Sequence, residues 1–166
     1  MGCGGSYVIV AAVADTHGKT ELIIKKLKLF NPDHVLFAGD YYGDGRKIIK
    51  ELNVPGNSVA GNCDNSNRMQ QEETINLMGY RIFLVHGHQF GVKRDLNRLN
   101  YRAQELAVDA VVFGHTHRPF CDKIGELWLI NPGSPVHSRL SGQGSFAIIE
   151  IDNHGLKPSI IDIKGY

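Results

Sequence analysis

The sequence predicts an α/β fold in which two β-sheets pack face to face with helices on their outer sides. Through the first two-thirds of the chain, short apolar segments rich in Val, Ile, Leu, Phe and Ala alternate with segments of helical spacing, and most are followed by a glycine-containing turn. In the last third the apolar segments continue with turns but without helical spacing between them, so a second, antiparallel sheet is expected there. A chain of 166 residues, 42% hydrophobic, can bury about two-thirds of its unfolded surface in one core. It reads as one domain over 1–166, with 1–6 as a flexible leader.

Each element is set by local pattern. Tyr7 to Ala14 is a strand, and Thr20 to Phe30 a helix with Leu22, Ile23, Leu27 and Phe30 at helical spacing, stopped by Asn31-Pro32. Val35 to Ala38 is a strand, and Arg46 to Leu52 a short helix capped by Asp44. Asn57 to Ala60 gives another strand, while Thr74 to Leu77 and Arg81 to Val85 flank Met78-Gly79-Tyr80 as a hairpin. Lys93 to Val108 is expected to be the longest helix, with Leu96, Leu99, Ala103, Leu106 and Ala107 on one face. After the strand at Ala110 to Phe113, the β-only region holds Phe120 to Ile124, Leu127 to Ile130, Ser145 to Ile151 and Pro158 to Ile163. No internal repeat, low-complexity tract or linker interrupts the chain.

Charge and composition exclude several classes of partner. Lysine and arginine number 18 against 17 aspartates and glutamates, so no non-specific grip on nucleic acid or anionic membrane is indicated. No apolar run approaches the roughly 18 residues that span a bilayer, and the N-terminus lacks a secretory layout, so the cytoplasm is the expected compartment. Cys3, Cys63 and Cys121 are scattered and read as reduced thiols. Met1-Gly2-Cys3-Gly4-Gly5-Ser6 matches the myristoylation pattern formally, but a flexible leader or cloning remnant is the preferred reading.

The informative residues stand at the ends of the apolar strands. Val8 to Ala14 runs into Asp15-Thr16-His17, Val35 to Ala38 into Gly39-Asp40, and Val59-Ala60 into Gly61-Asn62-Cys63-Asp64. Ile82 to Val85 runs into His86-Gly87-His88, and Val111 to Phe113 into Gly114-His115-Thr116-His117. Loops beyond the carboxyl ends of parallel strands gather on one edge of a sheet, so these side chains are expected to converge. Imidazole and carboxylate without thiolate suit a borderline or hard divalent ion such as manganese, iron, zinc, cobalt or nickel. Asp15, His17, Asp40, Asn62, His86, His115 and His117 are too many for one tetrahedral ion and suit two ions that share a carboxylate, for which Asp40 is the candidate. Two doubly charged ions against two carboxylates leave about two positive charges, which favours a phosphate anion. A water bridging such ions loses its proton near neutral pH, because bound metal lowers its pKa from about 15.7 to about 7.

In this order, Asp-x-His, Gly-Asp, Gly-Asn-Cys-Asp, His-Gly-His and Gly-His-Thr-His, followed by Asn131-Pro132-Gly133-Ser134, resemble the calcineurin-like metallophosphoesterases, and most closely their small prokaryotic phosphodiesterases. The resemblance implies a four-layer αββα sandwich and hydrolysis of a small phosphate ester by a hydroxide bridging two divalent ions. It implies that Asp15, His17, Asp40 and His117 hold one ion and that Asp40, Asn62, His86 and His115 hold the other, with manganese first among candidate metals. Many members carry Gly-Asn-His, whose histidine is thought to protonate the leaving group, whereas Cys63 stands at that place here. Asn62 and His88 are therefore the catalytic candidates, with His88 or a metal-ordered water assisting the leaving group, and Cys63 is expected to be a small buried space-filler.

Other residues have blander readings beside the functional ones. Asp64 either orients a ligand or caps a helix, and Arg139 either grips substrate phosphate by a bidentate fork or, as preferred, faces solvent. His34, His137 and His154 read as ordinary satisfied polar groups, and Lys25, Lys26 and Lys28 as a solvated face. A monoesterase would favour added cationic clamps, for which Arg68 and Arg139 are the candidates. A non-catalytic scaffold like the eukaryotic retromer subunit of this fold is the alternative from another class, and the β-rich C-terminal half offers an edge for a homodimer.

Overall fold

The computed structural model describes residues 7–65, 68–136 and 144–163; the proposed leader, His137 and Arg139 lie outside them. The elements in chain order are β1 (Val8–Val13), α1 (Glu21–Lys28), β2 (His34–Phe37), α2 (Tyr42–Leu52), β3 (Gly56–Ser58), β4 (Glu72–Leu77), β5 (Tyr80–Val85), α3 (Asn97–Glu105), β6 (Ala110–Phe113), β7 (Pro119–Ile124), β8 (Leu127–Pro132), β9 (Gly144–Asp152) and β10 (Gly155–Ile163). They form two mixed five-stranded sheets, ordered β10-β9-β1-β2-β3 and β4-β5-β6-β8-β7.

Alternation along each strand builds the layers. In β1, Val10 and Ala12 face the second sheet and join Leu36, Ile82, Leu84, Val112, Ile130 and Ile149 in the central core. Ala11 and Val13 point the other way, against Ile23 and Leu27 of α1 and Ile48 of α2. On the far side, Leu99 and Ala103 of α3 cover Phe83, Val85, Val111, Phe113 and Leu129. Strands buried on both faces read as continuous apolar runs, which is why they stood out in the sequence. The β4–β5 hairpin pairs Leu77 with Tyr80, and its two-residue turn takes positive φ at both Met78 (52°) and Gly79 (88°), as the twist of the flanking strands favours.

The last third departs from expectation. It forms no separate antiparallel sheet. β8 lies parallel to β6 with β7 antiparallel at its flank, and β9 runs antiparallel along the side of β1 opposite β2, followed by β10. Without the C-terminal strands, β1 and β6 would each keep an open row of amides and carbonyls, and those strands divide between the two rows.

Helix lengths also differ. α2, with 11 residues, is the longest helix among the described residues and begins at Tyr42, ahead of the expected Arg46. Asp44 therefore sits inside its first turn and does not cap it; its Oδ2 accepts from the Thr16 hydroxyl at 2.6 Å and the Gly18 amide at 2.7 Å, tying α2 to the loop after β1. α3 has 9 residues, because turns around Gly91 (φ 67°) precede it and Ala107 in a left-handed conformation (φ 48°) ends it. No helix among the described residues is long and apolar enough to cross a membrane.

Gly45 shows how tightly α2 sits on its sheet. A Cβ there would lie 2.5 Å from Phe37 Cγ and 2.6 Å from Ser58 Oγ. Helix propensity favours alanine over glycine by about 1 kcal/mol, but overpacking a filled core costs about 1–3 kcal/mol. Gly45→Ala is expected to lower the urea midpoint of unfolding, and a raised midpoint would show that Phe37 has room to yield.

Candidate metal centre

Both sheets deliver their carboxyl-terminal loops to one rim. The first supplies Asp15 and His17 after β1, Asp40 after β2 and Asn62 beyond β3, while the second supplies His86 after β5 and His115 and His117 after β6. The backbone is unusual at this rim. Asp15 (φ 55°), His17 (47°), Asp40 (50°), His115 (71°) and His117 (56°) all lie in the left-handed region, at about 1–3 kcal/mol each for a non-glycine residue. Such conformations persist only where neighbours over-determine them, and the neighbours can be named.

The Asp15 amide donates to Gly39 O at 3.0 Å and the Gly114 amide to His86 O at 3.0 Å, so adjacent loops hold one another. The His115 amide donates to Asp15 Oδ2 at 2.9 Å. Buried Asn131 donates through Nδ2 to Gly114 O at 3.0 Å and to Thr116 Oγ1 at 3.1 Å, and the buried Ser134 hydroxyl donates to Asp15 O at 2.8 Å. The Asn-Pro-Gly-Ser segment is thus a brace between the loops of the two sheets. Gly114 must lack a Cβ because one would lie 2.9 Å from Asp15 Oδ2 and 2.8 Å from Ala14 Cβ; at Gly61 it would collide with Asp40 Oδ1.

Four of the seven candidate side chains gather in one cluster. One ligand atom each from Asp15, His17, Asp40 and His117 falls within 4.8 Å of all the others. His17 Nε2 and His117 Nε2 are 3.2 Å apart, and His117 Nε2 lies 3.3 Å from Asp15 Oδ1. That carboxylate oxygen is buried and has no hydrogen-bond partner. A buried acceptor without a donor is costly, and imidazole nitrogens crowded around it offer the donor set a divalent cation takes.

Asp40 also faces a second group. His86 Nε2 is 3.4 Å from Asp40 Oδ1 and 3.1 Å from Asn62 Oδ1, and the His86 and His115 rings are 5.0 Å apart between centroids. Nδ1 of His86 lies 2.8 Å from the Ala38 carbonyl, which fixes the proton on that nitrogen and leaves the Nε2 lone pair facing the cluster. Burial raises the Asp40 carboxyl, but His86, the Cys63 amide and thiol, and His17 outweigh it and hold it below its ordinary value. Burial, then the charges of His86 and Lys93, push His115 down to about 4, so its ring is neutral at neutral pH.

Cys63 corrects the sequence reading. It is exposed and not a buried space-filler, its amide donating to Asp40 Oδ1 at 3.0 Å and its thiol to Asp40 Oδ2 at 3.4 Å. Partial burial of the sulfur, then this bond to Asp40, push the thiol up to about 11, which leaves little thiolate at neutral pH. His88 lies beside the cluster, its ring 5.4 Å from His86 and 6.1 Å from His115, with Nδ1 buried and unpartnered. Burial, then His86, lower its pKa.

Asp64 fastens loops: Oδ1 accepts from the Tyr42 amide and Oδ2 from the Gly61 amide, both at 2.8 Å, so the segments carrying Asp40 and Asn62 are held together. Tyr41, which the sequence reading passed over, sets its ring edge-on to His17 at 5.3 Å from a left-handed backbone (φ 70°). His34 is the ordinary satisfied histidine expected, with Nε2 2.7 Å from Asn57 Oδ1.

A family model described as the calcineurin-like phosphoesterase superfamily domain matches residues 8–154. The chain is 30% identical over 158 residues to the probable metallophosphoesterase YsnB of Bacillus subtilis, covering 94% of this chain and 92% of that protein. It is 27% identical over 164 residues to the phosphodiesterase YfcE of Escherichia coli, covering 84% and 85%. Among solved structures, a predicted phosphoesterase of Streptococcus pneumoniae superposes with a TM-score of 0.78 at 22% identity, over 95% of this chain and 90% of that one. Vps29 of Entamoeba histolytica complexed with zinc superposes with a TM-score of 0.73 at 23% identity, over 93% and 98%. These two likenesses are of fold, and they share its two sheets flanked by helices.

The Asp64 carboxylate is expected to matter beyond stability. Asp64→Ala should lower the melting temperature, since it removes charge-assisted bonds of about 1.5–3 kcal/mol. It should also weaken divalent-cation affinity about 10–100-fold, as loss of an orienting partner does. Calorimetric titration with manganese checks this; unchanged affinity in a destabilised variant would reduce Asp64 to a purely structural tie.

Proposed function

We propose that this chain, which belongs to the calcineurin-like phosphoesterase superfamily, is a metal-dependent phosphodiesterase with two divalent ions at the rim of its two sheets. The observation that carries the reading is the convergence of Asp15, His17, Asp40 and His117 around a buried, unpartnered carboxylate oxygen. These four residues would hold one ion, and Asp40, Asn62, His86 and His115 the other, with manganese the first candidate metal. When bound, the ions supply a water of lowered pKa as nucleophile and positive charge for the phosphoryl oxygens.

The chain's own residues would do the rest. The Ala38 carbonyl keeps the His86 proton on Nδ1, so Nε2 stays free to coordinate. The Cys63 amide and thiol favour the ionised form of Asp40. His88, whose ring lies beside those of His86 and His115 and whose pKa is lowered by burial and then by His86, would donate a hydrogen bond to the departing oxygen as a neutral ring. The name of the Escherichia coli relative supports a diester over a monoester. A monoesterase would lean on Arg68, which is exposed, or on Arg139.

The scaffold reading draws on the likeness to Vps29. Against it stands the complete set of carboxylates, imidazoles and Asn62, for which protein binding has no chemical need.

Metal analysis after manganese reconstitution, coupled to paired assays on bis(p-nitrophenyl) phosphate and p-nitrophenyl phosphate, tests the reading. Two ions per chain with metal-restored diester hydrolysis are expected. Faster monoester turnover would replace the diesterase by a monoesterase, and inertness to both would favour the scaffold. Asp40→Asn should weaken both ion sites together and reduce kcat/KM by about two orders of magnitude or more. His88→Ala should steepen the dependence of rate on leaving-group pKa; an unchanged dependence would remove His88 from the reaction.

A further inference from the structure

A cavity of about 520 Å³ borders the candidate centre. Thr116, flanked by His115 and His117, forms part of its wall, so the cavity begins beside the loop that carries two candidate ligands. Lys93, Arg94 and Leu96 form one side, from the turns that lead into α3, and Arg118 and Phe120 form the other, from the start of β7.

Its chemistry is distinctive for a chain with a formal net charge of +1. Three cations, Lys93, Arg94 and Arg118, line it against one carboxylate, Asp95. Among the described residues none of the three makes an ion pair, whereas Arg102, Lys123 and Lys157 each do. Like charges gathered unpaired around a concavity focus a positive potential there. Phe120 is exposed although apolar, and it and Leu96 give the same cavity apolar surface on each of its two sides. The volume lies in the range of about 300–1,000 Å³ typical of small-molecule sites. A lipid chain would have no use for clustered cations, and a nucleic-acid strand would need a longer basic track.

We infer that this cavity is the subsite for the non-reacting part of the substrate and selects phosphodiesters whose substituent combines a second anionic group with a planar apolar ring, the chemistry of a nucleotide. In its substrate role the inference rests on the phosphodiesterase reading. Arg94, Arg118 and Lys93 take the second anion, and Phe120 and Leu96 take a face of the ring.

The test compares p-nitrophenyl thymidylate with the same ester carrying a second phosphate on the sugar, using the manganese-loaded full chain. The second phosphate is expected to raise kcat/KM about tenfold, equivalent to about 1.4 kcal/mol. The double variant Arg94→Ala, Arg118→Ala should bring that ratio down to near unity. As a readout independent of turnover, calorimetry on the metal-free protein should show thymidine bisphosphate binding about tenfold more weakly to the double variant. Equal kcat/KM for the two esters, or a ratio unmoved by the double variant, overturns the inference. Cleavage of bis(p-nitrophenyl) phosphate with both thymidylate esters inert also overturns it, and leaves the diesterase reading standing. If no ester is cleaved the diesterase reading falls, and thymidine bisphosphate binding then decides whether the cavity is a nucleotide site at all.

Discussion

The crowding of carboxylate and imidazole atoms at one rim is the constraint on which the rest of this molecule depends. Within 4.8 Å of one another sit a buried carboxylate with an unpartnered oxygen, a second nearly buried carboxylate and two imidazoles. Left to themselves such groups would turn away toward water. They are held because each hangs from a strand buried on both faces, and because left-handed residues aim the loops inward once the strands end. Asn131, Ser134, Asp44 and Asp64 then stitch loop to loop, each by bonds to backbone amides, carbonyls or a neighbouring hydroxyl.

The centre straddles a seam. Carboxylates and Asn62 come from the first sheet, while His86, His115 and His117 come from the second. The bond between His86 Nδ1 and Ala38 O crosses from one to the other, as does the approach of the His115 amide to Asp15. The geometry of the cluster is therefore set by how the two sheets dock, and small residues, Ala12, Ala14, Ala38 and Ala147, belong to the core between them.

Much of this was legible in the sequence, for identifiable reasons. A strand such as Val10 to Ala14, apolar on both sides, can hardly be anything else, and a polar residue after each such run marks the rim. Gly-His-Thr-His and Asp-x-His carry their meaning by spacing alone. What could not be read was long-range. Nothing in Ser145 to Ile151 tells whether it pairs with β1 or β8, because an apolar strand satisfies either edge. The Ala38 carbonyl that orients His86 leaves no trace in residue identity, and Asp44 looked like a cap because its partners, Thr16 and Gly18, lie far back in the chain. Cys63 misled because a free cysteine is usually buried, whereas here its thiol turns to Asp40.

The left-handed residues at the rim also bear on the history open to this architecture. None of the side chains they present adds apolar burial, and each strained backbone position would relax if a glycine or asparagine replaced it. At Asp15 and Asp40 that relief is offset, because the amides of His115 and Cys63 would lose the carboxylates that accept from them. His17, His115 and His117 are where a replacement would cost this scaffold least, since no backbone amide among the described residues is shown donating to their rings.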